Sequence, residues 1–198
     1  DRIGFNTVPF NSGAMEHATN IAYPRYAISA GDKSSETLYA HELAHHWWGN
    51  TITCKTQEDM WLDEGWASYS ERIFLEAVYG RERYDEDIED NHRAVLQFAH
   101  VQDGDVLPVS GIGHANTYGR HVYNKGADMV HTLRGMMGDT SFFAACASFQ
   151  QEYKFKDVTT EDMRQHFQLF TALSLSGFFN QWIKEAGFPH FDILYTKE

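Results

Sequence analysis

The distribution of apolar and polar positions divides the chain into a short irregular start and a long helical remainder. The first 30 residues are rich in Gly, Pro, Asn and small side chains, with short apolar stretches, a pattern typical of loops and strands. From Ser34 onward, longer stretches without these breakers are typical of helices. We therefore predict a β and loop segment over residues 1–33 and a mostly helical segment over 34–198.

The helix boundaries follow from capping residues and glycines. Ser34 or Ser35 is suited to cap a first helix that runs to Trp48, with Gly49 just past its end. Between the helices, residues 102–119 hold four glycines and a proline and are too long for an ordinary connection, so we expect a functional or mobile segment. The other predicted elements are helices over 63–79 and 83–101, from 121 to Gly138, after Asp139, from Thr159 or Thr160, and over 176–186, and a final strand over 191–195.

No internal repeat, low-complexity tract or clear linker interrupts the 198 residues. We therefore predict one domain over 1–198, mainly α with a small β part at its N-terminal end. The chain begins at Asp1, without an initiator Met or the pattern of a signal peptide. We expect it to be a segment of a longer multidomain protein.

Composition excludes several classes of function. The formal net charge of -12 argues against nucleic acids and anionic membrane surfaces as partners. No apolar run approaches the roughly 18 residues that a membrane span needs, so we expect a soluble segment. Two cysteines, Cys54 and Cys146, are too few for a four-thiolate zinc site or a disulfide scaffold. The compartment, cytoplasmic or extracytoplasmic, stays open.

A metal-binding pattern lies inside the first predicted helix. His41 and His45 enclose an HExxH sequence, and residues four apart share one helix face, so both imidazoles can reach one metal ion. Eighteen residues separate His45 from Glu64, which lies between Trp61 and Trp66, and a carboxylate in so apolar a segment needs a partner. Two histidines and one glutamate, with a fourth position left for water, predict a catalytic site for one Zn²⁺ per chain.

Glu71 stands two turns after Glu64 on the same helix face. Its carboxylate could accept the remaining N–H of a ligand histidine and fix its tautomer. It could equally pair with Arg72 at the surface. The spacing alone leaves both roles open.

Three blocks carry a resemblance to a known family. Gly13-Ala14-Met15-Glu16-His17 is similar to a GxMEN motif, residues 41–50 read HELAHHWWGN with LDEG at 62–65, and residues 123–126 read YNKG, similar to YxKG. Their order and spacing resemble those of the zinc aminopeptidases of metallopeptidase family M1, the gluzincin family of aminopeptidase N and leukotriene hydrolase. The resemblance covers nearly the whole chain and implies a thermolysin-like catalytic domain.

The resemblance also implies an activity, the removal of the N-terminal residue from peptides that have a free N-terminus. It implies that Glu42 is the general base for a zinc-activated water and that Tyr123 stabilises the oxyanion. It implies that Glu16 binds the free α-amine of the substrate. Gly13, Ala14 and Met15 would form the edge along which the substrate backbone lies.

Two substitutions and the length of the chain depart from the family pattern. His17 stands where the family usually has Asn, and Asp63 replaces the commoner Asn, adding negative charge near the metal. The 198 residues are too few to include the flanking domains of the family, so we expect those domains, and part of the cleft wall, to belong to the longer parent protein. Two alternatives therefore stay open: a thermolysin-like zinc endopeptidase, which has no need of Glu16, and an isolated zinc-binding domain with little activity.

Overall fold

The computed structural model describes residues 2–29, 31–188 and 194–196. These ranges are mainly helical with a small β part at the start, as predicted. Most of the strand predicted over 191–195 falls outside the described residues, and Leu194 and Tyr195 belong to no regular element. Within the described ranges, no helix combines the length and apolar character that crossing a membrane requires.

Two parallel strands form the first β unit. β1 (Gly4–Val8) pairs with β2 (Asn20–Pro24), and the loop between them carries the predicted substrate-binding residues. Met15 in this loop exchanges two backbone hydrogen bonds of 2.9 Å with Ala22. The loop is thereby fastened to the edge of β2. A short helix, α1 (Arg25–Ser29), follows directly, inside the segment that we predicted as strand and loop.

The helix that carries the HExxH sequence is shorter than predicted. α2 spans Glu36–Ala44 and ends before Trp48. The chain tightens here, because the amide of Trp47 bonds to the carbonyl of Ala44 three residues back, at 2.9 Å. Nδ1 of His45 also donates a hydrogen bond to the Trp48 carbonyl at 2.8 Å, which holds the backbone in a turn. The prediction that the helix reaches Trp48 is therefore wrong.

The predicted second helix is confirmed to within one residue. α3 spans Glu64–Tyr79 and stops at Gly80, whose φ of 93° suits glycine. Before it, a 3₁₀ turn (Gln57–Leu62) follows the strand β3 (Ile52–Cys54). β3 pairs in parallel with the later strand β4 (Lys156–Val158), and the sequence pattern did not predict this second β unit.

The remaining elements are close to the predicted ones, with differences at their ends. The helix predicted from 121 begins only at Asn124, and the last one ends at Lys184 rather than at 186. Thr159, one of the two predicted caps, caps its helix with a capping box. The elements are α4 (Arg81–Ala94), a π-helical segment (Val95–Ala99), α5 (His100–Gln102), a 3₁₀ turn (His114–Asn116), α6 (Asn124–Met137), α7 (Asp139–Glu152), α8 (Thr160–Gln168), α9 (Ser176–Phe178) and a second π-helical segment (Phe179–Lys184).

An aromatic core lies behind α2 and α3. Trp48 stacks on Trp66 with ring centroids 4.1 Å apart, and Trp66 lies nearly parallel to Phe142 at 5.8 Å. Phe149 and Phe167 complete this group, and all five side chains are buried. Burial of such large rings contributes much of the free energy of folding, so α2 and α3 pack against a rigid base.

Two glycines let α3 and α6 approach closely. A Cβ on Gly65 would lie 3.0 Å from the Val122 carbonyl oxygen and 3.1 Å from the Cα of Gly126. A Cβ on Gly126 would lie 3.0 Å from the Cα of Gly65. Each glycine belongs to one sequence motif, directly after Glu64 and three residues after Tyr123. Their contact therefore sets the position of Tyr123 relative to Glu64.

Candidate metal centre

Three side chains from two helices converge on one point. α2 carries His41, His45 follows one turn later as the residue directly after this helix, and α3 begins with Glu64. Oε2 of Glu64 lies 3.1 Å from Nε2 of His41 and 3.2 Å from Nε2 of His45. One ligand atom from each residue fits within 4.8 Å of the others, and all three residues are more than nine-tenths buried.

The hydrogen bonds of the two Nδ1 atoms determine that the Nε2 atoms of both histidines face the cluster. Nδ1 of His45 lies 2.8 Å from the Trp48 carbonyl, which can only accept, so this nitrogen carries the proton. Nδ1 of His41 lies 2.9 Å from the Glu71 carboxylate in the same way. In the neutral imidazoles both Nε2 lone pairs then point at Glu64. Three electron-rich atoms in one buried place need a proton or a cation between them.

The pKa values of the clustered side chains reflect this need for a proton or a cation. Burial lowers the pKa of His41, but its hydrogen bonds to Glu64 and Glu71 raise it to about 10. Burial opposes ionisation of Glu64, yet its bonds to His41 and His45 lower its pKa to about 2. Two imidazole nitrogens and one carboxylate oxygen are the donor set that Zn²⁺ takes in catalytic sites. The residues present therefore fit a zinc ion.

Glu71 makes both of the contacts that its spacing left open, one with a histidine and one with Arg72. Its Oε1 bonds to His41, and its Oε2 lies 3.5 Å from Nη1 of Arg72. Arg72 in turn pairs with Asp87 at 2.9 Å. The histidine is therefore oriented by a carboxylate that is itself held in place, the usual arrangement around a metal-binding imidazole.

Glu42 lies beside the cluster with a bare carboxylate oxygen. The residue is 3% exposed, and its Oε2 has no hydrogen-bond partner among the described residues. Burial raises its pKa to about 7, although His41 and His45 act in the opposite direction. One carboxylate oxygen of Glu42, one of Glu16 and a ring nitrogen of His45 fit within 4.8 Å of one another.

Tyr123 covers the cluster from the side of α6. Its ring lies parallel to that of His41, with centroids 6.0 Å apart and an interplanar angle of 10°. Burial raises the pKa of Tyr123, and the Glu64 carboxylate raises it further. The phenol therefore keeps its proton and can act as a hydrogen-bond donor.

The loop between β1 and β2 closes the other side. Gly13, Ala14 and Glu16 line a cavity of 340 Å³ together with the side chains described above. Met15 is not part of this lining and is 37% exposed. Asn50 holds the loop, since its Nδ2 donates to the carbonyl oxygen of Glu16 at 2.8 Å. Sequence reasoning missed Asn50, although it closes the HELAHHWWGN block.

Asp63, the acid expected to add negative charge near the metal, also contacts the strand β3. Its carboxylate turns toward β3, where it accepts hydrogen bonds from the hydroxyl of Thr53 at 2.8 Å and the amide of Cys54 at 2.9 Å. Burial raises the pKa of Asp63 to about 6, against the effect of these bonds. Asp63 thus ties the start of α3 to the strand, while Glu64 faces the cluster.

Comparison with known proteins gives the protein family to which this fold and this site belong. The peptidase family M1 domain matches residues 5–182, so the chain belongs to peptidase family M1. It is 27% identical to aminopeptidase M1-B of Oryza sativa subsp. japonica, over 95% of this chain and 22% of that protein. It is 29% identical to aminopeptidase N of Rattus norvegicus, over 91% of this chain and 21% of that protein. The chain thus spans about a fifth of the length of these curated relatives.

Solved structures show the same fold. The M1 zinc metallopeptidase from Deinococcus radiodurans matches 95% of this chain and 40% of its own length, with a TM-score of 0.81 and 21% identity. Native leukotriene A4 hydrolase from Saccharomyces cerevisiae matches 96% of this chain and 32% of its own length, with a TM-score of 0.80 and 18% identity. The predicted gluzincin fold is therefore confirmed.

Proposed function

We propose that the chain is the catalytic domain of a zinc aminopeptidase, which hydrolyses the first peptide bond of peptides with a free N-terminus. The observation that carries this proposal is the shared cavity. A carboxylate suited to the amine, Glu16, faces the same space as Glu42 and the three candidate ligands. The aminopeptidase names of the relatives in Oryza sativa and Rattus norvegicus support it.

His41, His45 and Glu64 would hold one Zn²⁺ ion. The bound ion would supply Lewis-acid polarisation of the scissile carbonyl and would lower the pKa of water. Glu71 and the carbonyl of Trp48 would keep the two imidazoles in the tautomer with Nε2 free.

Glu42 would be the general base. Its unpartnered Oε2 is available to take a proton from the attacking water and to pass it to the leaving amine. A cation beside it would lower its pKa from about 7, so that the carboxylate is ionised at neutral pH. Its burial keeps bulk water from competing for the proton.

Tyr123 would stabilise the oxyanion that forms at the scissile carbonyl. A protonated phenol at the cavity wall can donate a hydrogen bond to that oxygen as charge develops. The parallel ring of His41 fixes the plane of the tyrosine ring. Together with the close contact of α3 and α6, this arrangement holds the phenol ready before the substrate binds.

Glu16 would bind the ammonium group at the N-terminus of the substrate. A carboxylate and an ammonium in a partly desolvated cavity make a strong charge-assisted hydrogen bond. The backbone of Gly13 and Ala14 borders the same cavity and would contact the first residue of the peptide. This group favours an aminopeptidase over an endopeptidase, which has no use for a carboxylate at that position.

Hydrolysis of leucine arylamide tests the proposal. The zinc-loaded chain is expected to release the arylamine, to lose this activity on chelation and to regain it when zinc is returned. Glu42→Gln should still bind one equivalent of zinc while kcat falls by about 10³-fold. If the zinc-loaded chain cleaves none of a broad panel of aminoacyl arylamides, the alternative of a zinc-binding domain with little activity is correct.

A further inference from the structure

A second polar cleft adjoins the metal cavity. It has a volume of 440 Å³ and shares Glu71 and Tyr123 with the cavity described above. Its lining also includes Tyr118, Gly119 and Arg120, which do not line the metal cavity. A molecule that extends out of the metal cavity past Tyr123 would therefore enter this cleft.

Two arginines line the cleft, and only one of them is engaged in ion pairs. Arg72 is buried and pairs with Asp87 and Glu71. Arg120 makes no ion pair within the described ranges. Its Nε donates to the side-chain oxygen of Gln102, and no described residue accepts a hydrogen bond from either of its Nη groups. Arg120 is thus a cation with its two terminal groups available, in a chain of net charge -12.

The backbone at Arg120 is held in place. The carboxylate of Asp103 accepts hydrogen bonds from the amides of Arg120 at 3.0 Å and His121 at 2.9 Å. It also bonds to the ring of His121 at 2.7 Å, so the Asp103 carboxylate is occupied by the backbone and ring groups of its neighbours. Gly119 packs against it so closely that a Cβ there would lie 2.7 Å from Asp103 Oδ2. The position of Arg120 is therefore set before any ligand binds.

The charges around Tyr123 form a dipolar arrangement. On one side lie the carboxylates of Glu16 and Glu42, and on the other lies the guanidinium of Arg120, which has no ion-pair partner among the described residues. A guanidinium fork pairs in bidentate fashion with a carboxylate, so the two sides match the two charged ends of a short peptide.

We propose that Arg120 binds a carboxylate of the substrate beyond the scissile bond. The substrate class is then a peptide that carries a carboxylate within a few residues of its N-terminus. The carboxylate is either the C-terminus of a short peptide or the side chain of Asp or Glu. This inference rests on the proposed function, because it takes the amine to lie at Glu16.

Binding of uncleavable dipeptides tests the inference without requiring turnover. The probe is leucyl-alanine with its peptide bond replaced by a CH₂–NH link, prepared as the acid and as the carboxamide, and titrated calorimetrically into the zinc-loaded chain. The acid is expected to bind about tenfold or more tightly than the amide. In Arg120→Gln this ratio should fall to about one, and in Arg120→Lys, which keeps the charge but loses the fork, it should be intermediate.

Arg93→Gln is the matched control, because it removes one positive charge from the exposed face of α4. It should keep the wild-type ratio. A second pair of probes, the corresponding leucyl-aspartyl and leucyl-asparaginyl carboxamides, identifies the source of the carboxylate. A preference for the aspartyl probe that Arg120→Gln abolishes assigns Arg120 to an acidic side chain, and the same loss on the alanyl probes assigns it to the C-terminus.

Equal binding of both members in each pair, or a preference that survives Arg120→Gln, overturns the inference. The outcome is separate from that of the proposed function. A chain that hydrolyses leucine arylamide without discriminating acid from amide contradicts only the role of Arg120. A chain that discriminates through Arg120 and cleaves nothing contradicts only the proposed activity.

Discussion

The side chain of Asn50 donates a hydrogen bond of 2.8 Å to the backbone oxygen of Glu16, a residue 34 positions earlier in the sequence. Asn50 follows the turn that ends the histidine-bearing helix, and Glu16 lies in the loop between β1 and β2. The contact therefore links the position of the proposed amine-binding carboxylate to the helix that would hold the metal.

Removal of this link is expected to weaken substrate binding. Asn50→Ala should raise KM for leucine arylamide about threefold to tenfold and leave kcat nearly unchanged, since one hydrogen bond of this kind contributes about 0.5–1.5 kcal/mol. Steady-state kinetics measures both constants. Gln150→Ala is the control, because its amide bonds to the nearby carbonyl of Trp47 without touching the loop. A fall in kcat with KM unchanged would contradict this role for Asn50.

The contact between Gly65 and Gly126 predicts that alanine substitutions at two glycines of α6 have different effects on stability. Gly126→Ala places a methyl group against the backbone of α3 and should lower the free energy of unfolding by about 1–3 kcal/mol. Gly135→Ala meets no atom within 4 Å and should be neutral or stabilising by up to about 1 kcal/mol. Denaturant unfolding of both variants measures the difference. Equal stabilities would show that the two helices do not pack as described.

The bond between Glu71 and His41 predicts an effect on metal affinity. Glu71→Gln should weaken zinc binding about 10- to 100-fold, because a neutral amide orients and polarises the imidazole less well than a carboxylate. Competition with a chromophoric chelator measures the dissociation constant. Glu82→Gln, which removes an exposed carboxylate on α4, should leave the affinity as it is. An unchanged affinity in Glu71→Gln would remove Glu71 from the account of the site.

Asp128 predicts a pH dependence of stability away from the metal centre. Burial raises its pKa from 3.8 to about 7, although a hydrogen bond from Asn91 and the charge of Arg72 act against this shift. Because the folded-state pKa is raised, folding favours the protonated acid. This contribution is complete below about pH 4 and is lost as the pH rises from about 4 to 7.

Asp128→Asn should remove the loss of stability that accompanies the rise in pH. The variant should be more stable than the wild type at pH 8 by at most about 4 kcal/mol, and the gain should shrink toward zero near pH 4. Thermal unfolding at a series of pH values measures the difference. Asp90→Asn, at an exposed position on α4, should show little pH-dependent gain. A constant offset between Asp128→Asn and the wild type at every pH would contradict the shifted pKa.

The local sequence pattern was sufficient to predict much of the fold. α3 was placed to within one residue because Gly80 is the glycine that a helix end at positive φ requires. Thr159 was one of two predicted caps, and the structure selects it because its hydroxyl and Asp162 form a reciprocal pair three residues apart. The three candidate metal ligands could be named because two of them lie one helical turn apart. The structure brings their donor atoms together as that spacing suggested.

The parts that the sequence did not reveal depend on contacts between distant segments. β3 and β4 are three residues each, and their pairing joins strands that lie far apart in the chain, so neither is marked by its own residues. α2 stops early because the His45 ring donates a hydrogen bond to the Trp48 carbonyl, a contact that a helix pattern does not show. The side chain of Asp63 points toward β3 for the same reason, since its partners, Thr53 and Cys54, belong to that unforeseen strand.

The most direct test of the proposed aminopeptidase compares one peptide with a free N-terminus and its N-acetylated form, cleaved by the zinc-loaded chain and by Glu16→Gln. The wild type is expected to cleave the free peptide with a kcat/KM at least about 100-fold higher, since a buried charge-assisted pair contributes about 1.5–3 kcal/mol and the acetyl group also fills the amine position. Glu16→Gln should lose most of this preference. Equal cleavage of the two peptides by the wild type would contradict the account and identify a thermolysin-like endopeptidase.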